Sequence, residues 1–408
     1  MTGRYVAYRA FAPVLAVCGT LVGCAGSAPL PTTVGPEGGP ASTELANDCF
    51  PGHNASPART DPDPDPDVRA LIEACGEADL NLQLIAKNLA EQQTETTSNV
   101  DVDAMSGALR AIGAPYVWPH AWLFNGSEGE VGNAKARMLR WLATFADGGS
   151  RRCGVAVLHK PDGRIHVGAI AVDTLADLAS MPTKVRVGEW LDVRATLLVP
   201  ASEAKFIVLG PHGAPHPVPT SFTDGHARAR FNADQPGPWL IQLLAAVEGG
   251  PRPVLEALVY AGVKPPRTPS VPKAPGEDAA QAASDPRTAL YAMVNAARDG
   301  ELLAPFDRDA QLETLAQAHA EAMRRAHKTA HDAGDGDLNQ RLEQAGLALG
   351  AGENVAHAGS AKLAQRALWA SPSHRENLLF PGFNVVGIGV AADPDGTLWV
   401  CQIFGTSQ

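Results

Sequence analysis

The sequence predicts a mixed α+β chain of several modules, and three observations carry that prediction. Residues 184–262 show short strand signals separated by turns, with no helical period, which is the pattern of a middle all-β sandwich. The blocks on either side open with helical periodicity and close on paired strands. These outer blocks also resemble each other. Residues 152–172 (RCGVAVLHKPDGRIHVGAIAV) and 385–405 (VVGIGVAADPDGTLWVCQIFG) are each two strands around a Pro-Asp-Gly turn, aligned without a gap at an offset of 233. A length of 408 residues leaves room for about two to four such domains.

The N-terminus reads as an address rather than as structure. Arg4 and Arg9 supply a positive start, and residues 10–22 form an apolar run too short to span a bilayer. The run ends in Leu21-Val22-Gly23-Cys24, which resembles a bacterial lipobox. That resemblance implies a leader over 1–24, cleaved before Cys24, with a lipid on the Cys24 thiol and fatty acyl chains such as palmitate. Each buried methylene contributes about 0.8 kcal/mol, so more than one chain anchors stably. The expected place is the bacterial cell envelope, on a membrane and facing the periplasm or the exterior. An ordinary signal peptide cut within residues 25–28 is the plainer reading.

Residues 25–66 are rich in Pro, Gly, Ser and Thr and run into alternating Asp and Pro over 61–67, which disfavours helix and sheet and extends the chain. They are expected to be a tether. A second break, 264–286 (KPPRTPSVPKAPGEDAAQAASDP), is expected to be a linker. The blocks between and beyond them are 67–175, 184–262 and 287–408. Export would leave Cys49, Cys75, Cys153 and Cys401 free to pair. Cys49 and Cys75 are nearest in sequence and are the expected disulfide. The alternative is four thiols, with Cys153 and Cys401 as buried strand residues. A net charge of −11 excludes sequence-independent binding of nucleic acid, which needs basic surface.

The resemblance between the outer blocks extends beyond the hairpins. The offset of 233 also lays residues 108–126 over 341–359, matching Leu109, Gly113 and Gly126-Ser127 to Leu342, Gly346 and Gly359-Ser360. An offset of 230 lays LQLIAKNLA at Leu82 over LETLAQAHA at Leu312. Agreement in order at three places points to an internal duplication. In this alignment Glu353 falls on His120, His374 on Trp141 and His331 near Ser98. The first block therefore reads as a degenerate copy that keeps a scaffold and lacks a polar cluster.

That cluster is the chemistry of the C-terminal block: His331, Glu353 and His374, with Asn354 beside them. Two imidazoles and a carboxylate can hold a divalent metal, with zinc the candidate, and leave a position open. The helix beginning after Asp309 buries a face of Leu312, Leu315, Ala316, His319 and Met323. His319 on that face reads as a core histidine. Asp332–Asp335 is expected to break the helix, so that His331 emerges at its end. Gly350 to Gly352 is expected to form a turn that aims Glu353, with Asn354 bonding across it. Ser371-Pro372 reads as a helix start, placing His374 in the first turn, where the dipole disfavours protonation. His212, His216 and His226 in the middle block are expected to be solvated.

These landmarks identify residues 285–408 as similar to the CAP superfamily of cysteine-rich secretory, antigen-5 and pathogenesis-related class 1 proteins, in a short bacterial form. They are Leu312-x-x-Leu315-Ala316, Met323 with His331, Arg341-Leu342-x-x-Ala345-Gly346, Gly352-Glu353-Asn354, and Trp369-x-Ser371-Pro372-x-His374-Arg375-x-Asn377. The last is Gly387-Ile-Gly389 through Trp399 to Gly405. The resemblance implies an α-β-α sandwich with a cleft of two histidines and up to two glutamates. Pro372 stands where a second glutamate would lie. The function this implies is a non-enzymatic binding module whose cleft takes a divalent metal or a small apolar ligand, with an unknown small molecule or protein as partner. A zinc-dependent hydrolase using the same cleft is one alternative. An envelope structural or protein-interaction role is the other. No HExxH or GxSxG motif favours catalysis.

Overall fold

The computed structural model describes residues 53–56, 65–92, 102–145, 148–266 and 272–407. The expected leader, Cys24, Cys49 and Ser98 lie outside the described residues, as does most of the expected tether. Within that tether, β1 (His53–Asn54) and the residues after it are held in place. Asn54 is buried and donates to the Leu258 carbonyl, and the Ala55 amide donates to Gly113.

The N-terminal module comprises α1 (Pro66–Cys75), β2 (Glu77–Ala78), α2 (Leu80–Gln92), α3 (Val102–Ala111), β3 (His120–Ser127), α4 (Val131–Leu142), β4 (Ser150–His159) and β5 (Arg164–Thr174). The last Asp-Pro repeat starts α1 instead of extending a tether. Asp65 accepts the Asp67 and Val68 amides, and Pro66 occupies the first helical position, where no donor is lost. The sheet order is β2-β4-β5-β3. Helices α1 and α4 cover one face through Leu71, Met138 and Val167; α2 and α3 cover the other through Leu82, Leu109 and Ile170.

The middle module is a β-sandwich. It follows through β6 (Ala176–Leu178), β7 (Met181–Pro182), which pairs with β1, and β8 (Lys184–Val185). Then come β9 (Glu189–Leu197), β10 (Glu203–Leu209), β11 (His216–Val218), β12 (Thr220–Thr223), β13 (His226–Ala233), β14 (Gly237–Val247) and β15 (Gly250–Ala261). The sheets β11-β10-β14-β15-β8 and β12-β13-β9-β6 enclose a core that includes Phe206, Phe231, Trp239 and Leu255. His212, His216 and His226 are exposed.

The C-terminal module contains α5 (Pro286–Gly300), β16 (Asp307–Arg308), α6 (Ala310–Ala326), α7 (Leu338–Gln344), β17 (Ala351–Ala358), α8 (Ala361–Ala370), α9 (Pro372–Leu379), β18 (Val385–Ala392) and β19 (Leu398–Gly405). Its sheet order, β16-β18-β19-β17, and its strand directions repeat those of the N-terminal module. Helices α6 and α7 cover one face, and α5, α8 and α9 the other. The expected linker is partly this module's own wall. Glu277 is buried, accepts the Ala274 amide at 2.6 Å and pairs with Arg366 at 2.5 Å.

The two sheets agree at the level of single glycines. A Cβ on Gly154 would lie 2.0 Å from the Gln83 nitrogen, and one on Gly387 would lie 2.1 Å from the Leu312 carbonyl carbon. Each bare strand residue lets a helix press onto the sheet. Gly113 and Gly346, also matched in sequence, both take positive φ, at 76° and 71°.

The expected Cys49–Cys75 disulfide is corrected: Cys75 is bonded to Cys153, with Cα atoms 6.0 Å apart. Proximity in sequence misleads here, because packing of α1 on the sheet brings its last residue to β4. Cys401 is a buried free thiol.

Candidate functional site

The candidate residues gather around β17, which is an edge strand. Side chains alternate along a strand, so Glu353 faces α6 and α7 while Asn354 faces α8 and α9. Gly352 lies in the strand itself and not in the expected turn. Its missing side chain admits Asn377, whose Oδ1 would stand 2.7 Å from a Cβ there. Asn377 then donates to the Glu353 carbonyl at 3.2 Å and to Asn354 Oδ1 at 2.9 Å. Asn354 in turn donates to the His374 carbonyl at 3.0 Å and to Gln402 at 3.3 Å.

On the other face, the carboxylate of Glu353 is 2% exposed and fully engaged. One oxygen is 2.8 Å from His331 Nδ1, and the other accepts from the Arg341 guanidinium at 2.7 Å and lies 3.4 Å from Cys401 Sγ. Arg341 comes from α7 and also donates to the His331 carbonyl at 3.0 Å, which fixes the segment carrying that histidine. Burial raises the Glu353 pKa, but the hydrogen bond and charge of His331, with the charges of Arg341 and His319, outweigh it and bring it to about 2. Burial and the neighbouring carboxylate push the Cys401 thiol upward, so it stays protonated and unreactive.

His331 is not at a helix end. Helix α6 stops at Ala326, with His327 left-handed at φ 49°, so the break precedes Asp332 and the two histidines do not share a helix face. His319 is the core histidine expected, with Nδ1 2.9 Å from Asp335 and Nε2 2.9 Å from the Ala330 carbonyl.

His374 does lie in the first turn of α9, after Ser371 and Pro372. It is 8% exposed and its Nδ1 has no partner. Burial, with a smaller push from the charge of His331, brings its pKa down to about 3, so the ring is neutral at ordinary pH. The Ser371 side chain leaves the helix start uncapped. Gln242 of the sandwich supplies the cap, accepting the Ser373 amide at 2.9 Å and donating to Ser371 Oγ at 3.0 Å. No sequence signal marks Gln242. Arg341 stands in the sequence beside Leu342, and nothing there announces its buried pairing with Glu353. Glu376 pairs with Lys205 of the sandwich, at 3.8 Å.

The expected His331/Glu353/His374 metal set does not fit this geometry. Glu353 has both oxygens committed and serves to orient His331, and His374 Nδ1 bonds to neither of them. Among the described residues, no group of three or more His, Cys, Asp or Glu is placed to hold a metal ion.

Residues 291–403 match the family described as the cysteine-rich secretory protein family, CAP. This module is a CAP domain. His331, Glu353, Asn354 and His374 all lie within the matched span. No curated protein matches the chain. Among solved structures, an outer surface protein from Borrelia burgdorferi is similar at 20% identity over 31% of this chain and 95% of that one, with a TM-score of 0.29. An extracellular protein containing an SCP domain from Bacillus anthracis aligns at 16% identity over 78% of this chain and 98% of its own, with a TM-score of 0.28. A cysteine-rich secretory protein from Staphylococcus aureus aligns at 14% identity over 58% and 83%, with a TM-score of 0.26.

Proposed function

We propose that this is an extracytoplasmic CAP-domain protein, held to a membrane through lipid on Cys24, whose CAP cleft binds a small ligand without turning it over. The observation that carries the binding reading is His374: a neutral, buried imidazole whose Nδ1 has no partner. Such an atom costs stability unless a partner is gained. Beside it, Arg341, Glu353 and His331 form a hydrogen-bonded chain with no nucleophile in it, which supports binding over hydrolysis. The ligand class is a small molecule with an apolar body and one hydrogen-bonding group to meet His374. Support for export comes from the Cys75–Cys153 disulfide, since such bonds persist in oxidising compartments. No helix among the described residues is long and apolar enough to cross a membrane.

The test uses the full chain without its leader. Calorimetric titration with zinc is expected to be flat. A fluorescent sterol is expected to bind saturably, and His374→Phe to weaken it by roughly tenfold, the equivalent of one lost hydrogen bond. Stoichiometric zinc binding that disappears in His374→Ala would overturn the small-ligand reading.

A further inference from the structure

The face of the CAP domain that carries His331 and His374 is in contact with the sandwich at several separate points. The turn joining β14 to β15 presses on His331: a Cβ on Gly250 would stand 3.1 Å from His331 Cβ. Gly250 has φ 109°, a backbone conformation that only glycine adopts without strain, so the turn brings bare main chain against the imidazole-bearing segment. Next to it, a Cβ on Gly249 would lie 3.6 Å from the Lys328 ammonium. Helix α9 packs on β14 and β10. Its open N-terminus is closed by the fully buried Gln242, and Lys205 meets Glu376 at the margin.

We propose that the sandwich is a built-in cover for the CAP cleft, with the Gly249–Gly250 turn as the occluding element and Gln242 as its latch. The contacts divide by strength in a way that suits a cover. The Lys205–Glu376 pair is half-exposed at 3.8 Å and is weak. The turn contributes van der Waals contact with no side chain to anchor it. Gln242 makes the buried, directional bonds across the boundary. It is held from behind, because its amide also donates to Glu256 at 2.7 Å, and Glu256 pairs with Arg110 of the N-terminal module at 3.0 Å. The latch is therefore aligned by a residue of the module that lacks a polar cleft of its own. Opening exposes the Ser373 amide and the His374 ring to solvent. It leaves both hydrophobic cores intact, since no residue of the sandwich core is shared with either core of the CAP domain.

The cover rests on the binding reading and extends it, because a cover lowers the apparent affinity of the cleft by the fraction of time it is open. Its test does not need the ligand. Diethylpyrocarbonate labelling of the full chain, read peptide by peptide, compares His374 with the exposed His216. In the unaltered protein His374 should label at least about tenfold more slowly than His216, as expected for a site reached only by local opening. Gln242→Leu removes the latch and should raise His374 labelling by roughly tenfold, the weight of one buried bond. Lys205→Glu, on the surface and without risk to folding, should raise it by about two- to fivefold. Hydrogen exchange at the Ser373 amide should rise in parallel. The cover is refuted if His374 labels as fast as His216 in the unaltered protein, or if both variants remain folded and labelling is unchanged. If labelling rises and sterol affinity does not, the cover stands and the ligand reading falls.

Discussion

The N-terminal module and the CAP domain share a scaffold and differ where the chemistry is. The β4–β5 and β18–β19 hairpins have the same register: Gly154 pairs with Ile170 as Gly387 pairs with Ile403. Opposite Ile403 stands Glu353, whereas opposite Ile170 stands Ala121. The register thus corrects the alignment that set Glu353 on His120, by one residue, and it puts Trp122 where Asn354 lies. Arg341 corresponds to Ala108 and Cys401 to Gly168. Glu353, Arg341 and Cys401 all give way to small residues, and the opposite face is filled by Trp122, Trp141 and Phe145. Helix α9, which carries His374, has no counterpart among the described residues. A buried carboxylate and its guanidinium are retained or lost together, because either alone is costly.

That rule gives the largest expected effect. Arg341→Met strands a buried carboxylate and should cost about 3–5 kcal/mol, read from the urea midpoint. Arg341→Met with Glu353→Leu, an imitation of the N-terminal arrangement, should recover most of that loss. If the double variant is as unstable as the sum of its parts, the pairing argument fails. Next in size is the disulfide of the N-terminal module. Cys75→Ala with Cys153→Ala should cost about 2–5 kcal/mol. Hydrogen exchange should report the loss in β4 and β5 and leave β18 and β19 unchanged. A uniform loss would mean that the modules unfold as one unit.

A smaller and symmetric effect probes the shared scaffold. Gly154→Ala and Gly387→Ala each force a methyl into the helix packed on that strand. Each should cost about 1–3 kcal/mol, and the two values should be alike. Thermal melts of the two variants measure this directly. Unequal values would show that the helices α2 and α6 are not held against their sheets in the same way.

Much of this is readable in the chain. The strand periods of the sandwich, the Pro-Asp-Gly hairpins and the Ser371-Pro372 helix start are local signals, and local signals survive folding. His331, Glu353, His374 and Asn354 can be found because they sit in short clusters with turn residues around them. What cannot be read depends on packing between distant segments. Cys75 meets Cys153 across 78 positions of sequence. Arg341 commits Glu353 to orienting a histidine, so a set that reads as metal ligands does not stand as one. Gln242 caps a helix of another module, and nothing in its own strand distinguishes it from a buried polar residue satisfied at home.

The finest way to separate the two modules is acid. His374 titrates at about 3 in the folded chain against an ordinary 6.5, so the unfolded chain takes up the proton first and stability falls as pH drops below 6.5. Glu353, at about 2 against 4.5, adds a second loss of the same sign below pH 4.5. In the N-terminal module the sign is reversed. Burial raises the pKa of Asp79 above 3.8 against hydrogen bonds from Tyr116 and the Leu82 and Asn81 amides. The folded form therefore protonates first, and acid favours it through that window. Hydrogen exchange between pH 7 and 5 should show the CAP domain losing up to about 1.4 kcal/mol per pH unit from one proton, with no such loss in the N-terminal module. His374→Phe should flatten the CAP domain as well. A slope that survives this substitution would place the proton on another group and remove the buried neutral imidazole on which the binding reading rests.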